Sequence, residues 1–411
     1  FDCDRGVLVL MPPEHQALLF LAIAVVAWIS ATLPWLRIPT SVLEIVLGAV
    51  LGPHGFNFDQ PGSALLLLAN LGLGFLFLQA GFELDPKAFL GGGLRLGLTS
   101  WLLSIPLALL VAGLLIVLGE ISHQALPWVS LAVITTSMGM VQPLLRDREL
   151  LPKAYRSLVM VHAGIGEVVP IVLLSILEGR RSEMGFTLIH FAGYLLIALA
   201  LMGVAAYYRG SLNRLLVRTM DGSSQLPMRY AIGLLVAMVA LAHLLHIDVV
   251  LGALVAGVLL RFSTNADIWH KLQARIDGVG AGFLVPVFFV VTGMSLDFAP
   301  VFAEPRRLIW IPCLMLLMLL VRGVPVVVMT RKHLPDFWAR LALGLDIATQ
   351  LPLLLAVVVL AERQGVIEMS FATLLIAAAM ATVLVFPALA SLLLSRCAPA
   401  DEPNPQVTSL I

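Results

Sequence analysis

The chain has 411 residues, of which 60% are hydrophobic and 12% are charged, and its mean hydropathy is +1.00. Soluble domains carry roughly 25% charged residues, so a soluble multidomain protein is excluded. The 25 Lys and Arg residues balance the 25 Asp and Glu residues, which gives no indication of a nucleic-acid-binding surface. Cys3, Cys313 and Cys397 lie far apart in the sequence, and this spacing argues against a disulfide framework or a zinc site.

Long apolar segments recur from Leu18 to Leu394, and most of them reach the length of about 20 residues that a transmembrane helix needs. They are continuously apolar and do not alternate, which excludes the strands of a membrane barrel. The sequence therefore predicts an all-α polytopic membrane protein with about thirteen spans. Their expected bounds are 16–36, 40–52, 63–83, 94–118, 126–144, 155–177, 186–208, 227–243, 246–262, 280–296, 307–330, 336–360 and 369–395.

The distribution of positive charge predicts the orientation. With thirteen spans and the N-terminus outside, most of the 25 Lys and Arg residues fall on the cytoplasmic side, as the positive-inside rule requires. We expect residues 1–15 to form an outer N-terminal segment, in which Met11 is a candidate start that would make the preceding residues non-native. Residues 16–395 would form the membrane domain, and residues 396–411 a short disordered cytoplasmic tail. A bacterial cytoplasmic (inner) membrane is the expected location.

Two charged residues lie near the centres of predicted spans, Glu167 in the sixth and Arg322 in the eleventh. A charge at that depth costs at least about 2.5 kcal/mol, so each needs a partner or a function. A buried ion pair is a weak source of stability, whereas intramembrane carboxylates often mark ion and proton pathways. We interpret Glu167 as an ion- and proton-binding residue. For Arg322 two interpretations stay open, a structural ion-pair partner or a participant in the mechanism.

The fifth span contains a polar helix break. Thr135, Thr136 and Ser137 precede Gly139 and Pro143 in an otherwise apolar segment. Proline inside a helix removes a hydrogen bond and clashes with the preceding turn, and neighbouring hydroxyl groups can satisfy the freed backbone or contact an ion. The sequence therefore predicts a discontinuous helix here.

The twelfth span repeats this pattern, because Asp346, Thr349 and Gln350 precede Pro352; for Asp346, structural and functional interpretations both remain open. The breaks occupy the second members of spans 4–6 and 11–13. Since these triplets are an odd number of spans apart, they run in opposite directions through the membrane. This is the pattern of inverted-topology transporter repeats, in which crossed discontinuous helices form a site at the midplane. The moving core would consist of helices 94–177 and 307–395.

The predicted crossing suits a small ion. Opposed ends of half-helices place partial charges of both signs at the centre. A carboxylate such as Glu167 beside them offers hard oxygen ligands for a small cation or a proton. Because one carboxylate cannot hold both strongly, competition for it would couple their opposite movements.

Four further segments, in this order along the chain, resemble motifs of the Kef/Nap-type cation/proton antiporters, which belong to the monovalent cation–proton antiporter group. They are LEIVLGAVLGPHG (43–55), LGLGFLFLQAGFELDP (71–86), VVLGALVAGVLL (249–260) and PVFFVVTGMSLDF (286–298). They are similar to that family's E-x-x-x-G-x-x-x-G-P, L-G-x-x-x-L-x-F-x-x-G-L-E-L-D-P, L-G-A-F-x-A-G and P-x-F-F-x-x-x-G-M-x-L-D segments. The resemblance covers nearly all of residues 16–395.

The resemblance also implies roles for residues. Glu167 stands where the family has its ion-binding aspartate, although the family's Asp-Asp, Gln-Asp or Asn-Asp pair is Gly166-Glu167 here. Arg322 lies on the helix where members carry an embedded Lys or Arg. The hydroxyl residues of the fifth span correspond to the first polar break, and Thr349 with Gln350 to the second. A homodimer is implied as well.

The resulting hypothesis is a secondary antiporter, not an enzyme, that exchanges Na⁺ or K⁺ for H⁺ by alternating access, without a cofactor. Its expected partners are these ions, the lipid bilayer and a second copy of the chain, and no nucleic acid. We expect electroneutral one-for-one exchange, because Glu167 is one titratable carboxylate and the guanidinium of Arg322 does not release its proton.

Two alternatives remain at this point. A sodium-coupled organic-anion symporter of similar fold would need a larger polar cavity with more amide side chains near the breaks than Gln142 and Gln350 provide. An intramembrane enzyme would need a nucleophile or a metal cluster at membrane depth, such as HExxH or paired aspartates, and the sequence shows neither.

Overall fold

The structure is a computed structural model that describes residues 13–32, 39–53, 55, 62–84, 92–138, 141, 151–178, 184–220, 222, 224–245, 247–296 and 305–396. Over these residues, every regular element is helical. The helices are α1 (Pro13–Thr32), α2 (Thr40–Leu51), α3 (Ser63–Glu83), α4 (Gly92–Val117), α5 (Leu126–Val133), α6 (Lys153–Glu178), α7 (Met184–Thr219), α8 (Leu226–Leu244), α9 (Val249–Ser263), α10 (Ala266–Val279), α11 (Val285–Ser295), α12 (Pro305–Leu308), α13 (Trp310–Met318), α14 (Val324–Met329), α15 (Phe337–Ile347), α16 (Pro352–Arg363) and α17 (Met369–Leu394).

The prediction of an all-α polytopic membrane protein is confirmed. In the described part of the chain, nine helical segments are long and apolar enough to cross a membrane. Three shorter apolar helices and the interrupted fifth span complete the thirteen predicted spans. A π-helical turn at Gly280–Leu284 joins α10 to α11, and another at Leu319–Gly323 joins α13 to α14.

Two helices extend beyond the spans predicted for them. The seventh span was expected to end at residue 208, but α7 continues to Thr219, and the tenth was expected to begin at residue 280, although its helix already begins at Ala266. Both expected ends had been placed at the first polar residues. A helix satisfies its own backbone hydrogen bonds and can therefore continue into water; the 36 residues of α7 span about 54 Å, well beyond a hydrocarbon core of about 30 Å.

One compact unit consists of the described residues within 1–76 and 277–299. In it, α2 and α11 pack backbone against backbone. A Cβ atom on Gly48 would overlap the carbonyl oxygen of Val290, and one on Gly293 would overlap that of Ile45. Small residues permit such close approach of membrane helices, so these glycines fix the pairing of α2 with α11.

The second compact unit consists of the described residues within 77–276 and 300–411, and it contains both segments predicted to form the core. In this unit α4 packs on α5 and α6, and α15 packs on α6 and α17. A shared hydrophobic cluster stabilises these helices. Its buried members include Met138, Val159, Ala163, Leu345, Ile347, Ala348 and Phe386.

Both predicted helix breaks are present. The helix α5 ends at Val133, and helical conformation resumes at Met138. The helix α15 ends at Ile347, and Pro352 opens α16, where its missing N–H removes no intrahelical bond. Gly139 and Pro143, expected as part of the first break, lie outside the described residues.

We expect Gly48→Ala to lower the stability of the protein, because the added methyl group must displace the backbone of α11. Overpacking of this kind costs typically about 1–3 kcal/mol. The measurement is the midpoint of thermal unfolding in detergent.

The matched control is Gly203→Ala in α7, where a Cβ atom would meet no other atom within 4 Å. Alanine is the better helix former there, so the midpoint should stay unchanged or rise. Equal midpoints for the two variants would contradict the close packing of α2 and α11.

Candidate functional site

The two helix breaks contact each other directly. The backbone N–H of Ser137 donates to the carbonyl oxygen of Thr349 over 3.1 Å. The hydroxyl of Thr136 donates to the carbonyl oxygen of Ile347 over 2.9 Å. Each break thus supplies a partner for backbone groups that the other leaves without an intrahelical bond. The crossing of two discontinuous helices, predicted from the sequence, is confirmed.

Polar side chains complete the crossing. The side-chain amide of Gln350 donates to the carbonyl oxygen of Val133 over 2.8 Å. The hydroxyl of Thr135 donates to the carbonyl oxygen of Ala132, also over 2.8 Å. The backbone N–H of Gln350 donates to the hydroxyl oxygen of Thr382, 3.1 Å away on α17. Because lipid offers no hydrogen-bond partners, these side chains make the broken backbone tolerable at membrane depth.

Glu167 lies beside this crossing. Its side chain is 4% exposed, and its Oε2 atom accepts a hydrogen bond from the backbone N–H of Met138 over 3.3 Å. The preceding residue, Gly166, accepts a bond over 2.9 Å from the backbone N–H of Thr136. The structure thus holds the carboxylate at the end of the first break, where helical conformation resumes.

Arg322 lies in the π-helical turn at Leu319–Gly323 and is fully buried. Its Nε donates to the hydroxyl oxygen of Thr136 over 2.9 Å, and its Nη2 donates to the carbonyl oxygen of His162 over 3.0 Å. The described contacts do not include the expected ion pair with Glu167. The reason is geometric, because the guanidinium points to a hydroxyl and a carbonyl oxygen while the carboxylate points to Met138.

Gly166 makes room for this guanidinium. A Cβ atom on residue 166 would overlap Nη2 of Arg322 and would lie 2.6 Å from Oγ1 of Thr136. Arg322 can therefore reach the backbone of α6 only because residue 166 has no side chain. Gly166 is also the residue by which the Gly166-Glu167 pair differs from the polar pairs of the Kef/Nap-type antiporters. This difference therefore makes room for the Arg322 side chain.

Two buried oxygen atoms at the crossing have no hydrogen-bond partner among the described residues, Oγ of Ser137 and Oε1 of Gln350. Hydroxyl, amide and carboxylate oxygens are the ligand types that suit hard cations. Together with Glu167, the crossing therefore offers three kinds of oxygen ligand. The hydroxyl protons of Thr135 and Thr136 are donated to carbonyl oxygens of the breaks. The oxygen of Thr136 also accepts from Nε of Arg322, whereas the lone pairs of the Thr135 oxygen remain available to a cation.

Asp346, also predicted near the second break, is fully buried in the last turn of α15. Its Oδ2 accepts a hydrogen bond from the hydroxyl of Tyr155 over 2.7 Å. The partner of this oxygen therefore lies at the start of α6, twelve residues before Glu167.

Three residues near the crossing were not predicted as site residues. Glu83, at the end of α3, interacts electrostatically with Glu167, and its place in the FELDP motif was the available signal. Tyr155 is a polar aromatic residue near the start of an apolar span. Thr382 is a hydroxyl residue within the apolar helix α17, and nothing in its local sequence distinguishes it from other helix-bound hydroxyls.

The comparisons with known proteins agree with this geometry. The family model described as sodium/hydrogen exchanger, transmembrane, matches residues 21–396. The Bacillus subtilis (strain 168) protein YjbQ, named for Na⁺/H⁺ antiport, is 30% identical over 83% of this chain and 57% of its own length. The glutathione-regulated potassium-efflux system protein KefC of Klebsiella aerogenes is 28% identical over 70% of this chain and 47% of its own length. The chain thus spans about half the length of these relatives.

A solved structure shares the fold. The sodium proton antiporter MjNhaP1 from Methanocaldococcus jannaschii superimposes with a TM-score of 0.68 at 16% sequence identity, covering 93% of this chain and 98% of that one. At this identity the likeness concerns the fold, and it supports the arrangement of the helices described above.

We expect Gly166→Ala to destabilise the protein, because the methyl group would displace the buried guanidinium of Arg322 from its acceptors. Hydrogen bonds of charged groups contribute roughly 1.5–3 kcal/mol each. The measurement is the midpoint of thermal unfolding in detergent.

A double-mutant cycle with Arg322→Ala identifies the cause. If the guanidinium is displaced, Gly166→Ala should cost clearly less in the Arg322→Ala background than in the wild type, with the remainder due to Thr136. Equal costs in both backgrounds would show that Gly166 does not make room for Arg322.

Proposed function

Because the chain belongs to the transmembrane sodium/hydrogen exchanger family, we propose that it exchanges Na⁺ or K⁺ for H⁺ across the membrane, with Glu167 binding the two ions in turn. The observation that carries this proposal is the buried Glu167 carboxylate beside the crossing of two broken helices. A carboxylate at membrane depth is costly to keep charged without a ligand. Either a proton or a metal cation removes that cost, and the two exclude each other.

The cation would be held by oxygen atoms from both breaks. Glu167 supplies the charge, and Ser137 and Gln350 supply oxygens whose hydrogen-bonding capacity is unused among the described residues. Thr135 and Thr136 would maintain the shape of the first break, and Thr349 would maintain that of the second through its backbone bond to Ser137. Names of relatives refer to Na⁺ in one case and potassium in another, which is why both cations are proposed.

The fixed charge of Arg322 supports one-for-one exchange. The guanidinium stays protonated over the whole physiological range, and its described bonds hold it to Thr136 and His162. Only the carboxylate of Glu167 then changes its ligand during the cycle. One proton moves against one monovalent cation, so the cycle transfers no net charge.

The proposed movement is alternating access. The segments 94–177 and 307–395 would move as a core and carry Glu167 between the two sides, while the remaining helices form a scaffold and the interface of a homodimer. Inverted repeats around a central site support such a movement. With the N-terminus outside and the C-terminus in the cytoplasm of a bacterial cell, the positively charged loops face inward.

We expect Glu167→Gln to abolish cation-dependent proton flux in proteoliposomes, because an amide of similar size can exchange neither a proton nor a cation. The measurement is the dequenching of a pH-sensitive dye after addition of Na⁺, K⁺ or Li⁺.

Glu120→Gln serves as the matched control, since Glu120 lies in the turn after α4, away from the crossing, and its variant should transport at the wild-type rate. Wild-type flux in Glu167→Gln would remove Glu167 from the mechanism.

We expect an imposed membrane potential to leave the rate of Na⁺/H⁺ exchange unchanged, since one charge moves in each direction. Vesicles with unequal K⁺ concentrations on the two sides, with and without valinomycin to convert that gradient into a potential, provide the measurement. The flux should also vanish where the Na⁺ and H⁺ gradients are equal. A rate that changes with the potential would show that more than one proton moves per cation.

A further inference from the structure

Asp346 and Tyr155 form a hydrogen-bonded pair inside the second unit. The Tyr155 hydroxyl donates to Oδ2 of Asp346 over 2.7 Å, Asp346 is fully buried, and Tyr155 is 1% exposed. Tyr155 lies in the first turn of α6, whereas Asp346 is the last residue but one of α15. The pair therefore joins the start of the helix that carries Glu167 to the end of the helix that enters the second break.

The two chain neighbours of Asp346 and its partner Tyr155 are buried members of the hydrophobic cluster of this unit. Leu158, Leu345 and Ile347 belong to the hydrophobic cluster around it. Of the elements packed against α15, the helices α14 and α17 contain no ionisable residue. The ionisable residues of the other packed elements are Lys153, Tyr155, Arg156, His162, Glu167 and Glu178 on α6, Arg322 in the π-helical turn, and Arg331 and Lys332 in the 3₁₀ turn at Thr330–Lys332.

The strength of the Tyr155–Asp346 bond depends on the charge of the carboxyl group. Hydrogen bonds to an ionised acceptor are roughly twice as strong as those between neutral groups. The C-terminal end of α15 carries a partial negative charge, so the helix itself does not stabilise the ionised form. Protonation of Asp346 therefore weakens the connection between α6 and α15.

The connection leads directly to the crossing. Ile347, the next residue, accepts the hydroxyl of Thr136 through its carbonyl oxygen. The backbone N–H of Thr136 in turn donates to Gly166, the residue before Glu167. A displacement of the end of α15 therefore reaches the backbone of Glu167 through two hydrogen bonds.

We infer that Asp346 is a second proton-binding site of this protein, separate from Glu167, and that its protonation lowers the affinity of the crossing for the cation. The ionised carboxylate binds Tyr155 and holds the crossing in its cation-binding form. A proton from water adds to the carboxylate to give the neutral acid, and the crossing relaxes. This proton is not transported, so the exchange ratio stays at one. The inference rests on the proposed exchange at Glu167.

Asp346 is thus a positioning residue whose effect should appear in the cation KM and not in kcat. The experiment measures both constants for Na⁺ in proteoliposomes over a range of pH. In the wild type, log KM should rise on the acid side with a slope that exceeds one over part of the pH range, because protonation of Asp346 adds to the competition between one proton and one cation at Glu167. In Asp346→Asn the slope should approach one. The KM at alkaline pH should be about five- to tenfold higher, since the amide imitates the neutral acid.

Tyr155→Phe tests the pair without removing the carboxyl group. Because the connection is then absent at every pH, the slope should fall to one and the KM at alkaline pH should rise, as in Asp346→Asn. The matched control is Asp336→Asn, the same substitution at the start of the same helix. Asp336 caps α15 by accepting the backbone N–H of Trp338 over 2.8 Å, and asparagine caps equally well, so its profile should equal that of the wild type.

A wild-type slope and KM in Asp346→Asn would overturn the inference. If Asp346→Asn does not fold, Tyr155→Phe decides: a slope of one with a raised KM at alkaline pH supports the inference, and the wild-type slope and KM overturn it.

The thermal stabilisation of each variant by Na⁺ over the same pH range is a second readout that requires binding but no transport. The Na⁺ affinity obtained from it should show the same change, from a slope above one in the wild type to a slope of one in Asp346→Asn. Transport by Glu167→Gln would refute the proposed function, and so would the absence of exchange in a wild-type protein that still binds Na⁺. In either case, the dependence of Na⁺ binding on pH would still decide the role of Asp346.

Discussion

The structure of the second unit depends on how two interrupted helices satisfy their backbone groups inside a membrane. Each break frees N–H and C=O groups that lipid cannot pair. The bond from Ser137 to Thr349 and the bond from Thr136 to Ile347 supply partners across the crossing. Each break thus satisfies part of the other, while Gly166 and Thr382 accept from further backbone N–H groups. The position of the crossing then determines where an ion can meet fixed oxygen atoms.

Charge at this crossing is distributed over separate partners. Glu167 faces a backbone N–H, whereas Arg322 faces a hydroxyl and a carbonyl oxygen. A direct ion pair would neutralise the carboxylate permanently and leave it little affinity for a cation. The missing side chain of Gly166 leaves room for the guanidinium beside Thr136 and the backbone of α6, and the proposed exchange requires that the carboxylate stay free of it. The same guanidinium still ties the first break to α6.

The helical architecture could be predicted because it follows from local chemistry. Apolar segments of membrane length mark the spans, and proline next to hydroxyl or amide residues marks both breaks. The helices α7 and α10 extend beyond the predicted spans, because a helix can continue past the membrane without any change in its backbone. The ion pair of Arg322 could not be tested from sequence, since side-chain direction depends on the π-helical turn at Leu319–Gly323. The contact between Tyr155 and Asp346 joins residues 191 positions apart, and no periodicity indicates it.

The sequence by itself determined that this protein consists of membrane helices, that two of them are interrupted, and that Glu167 and Arg322 lie in their midst, because hydrophobicity, proline and charge act through the local chain. Only the tertiary structure decided which groups face each other: the carboxylate and the Met138 N–H, the guanidinium and the place left by Gly166, and the phenol of Tyr155 and Asp346. These pairings depend on the relative rotation and depth of helices distant in sequence, and packing of the whole unit fixes both.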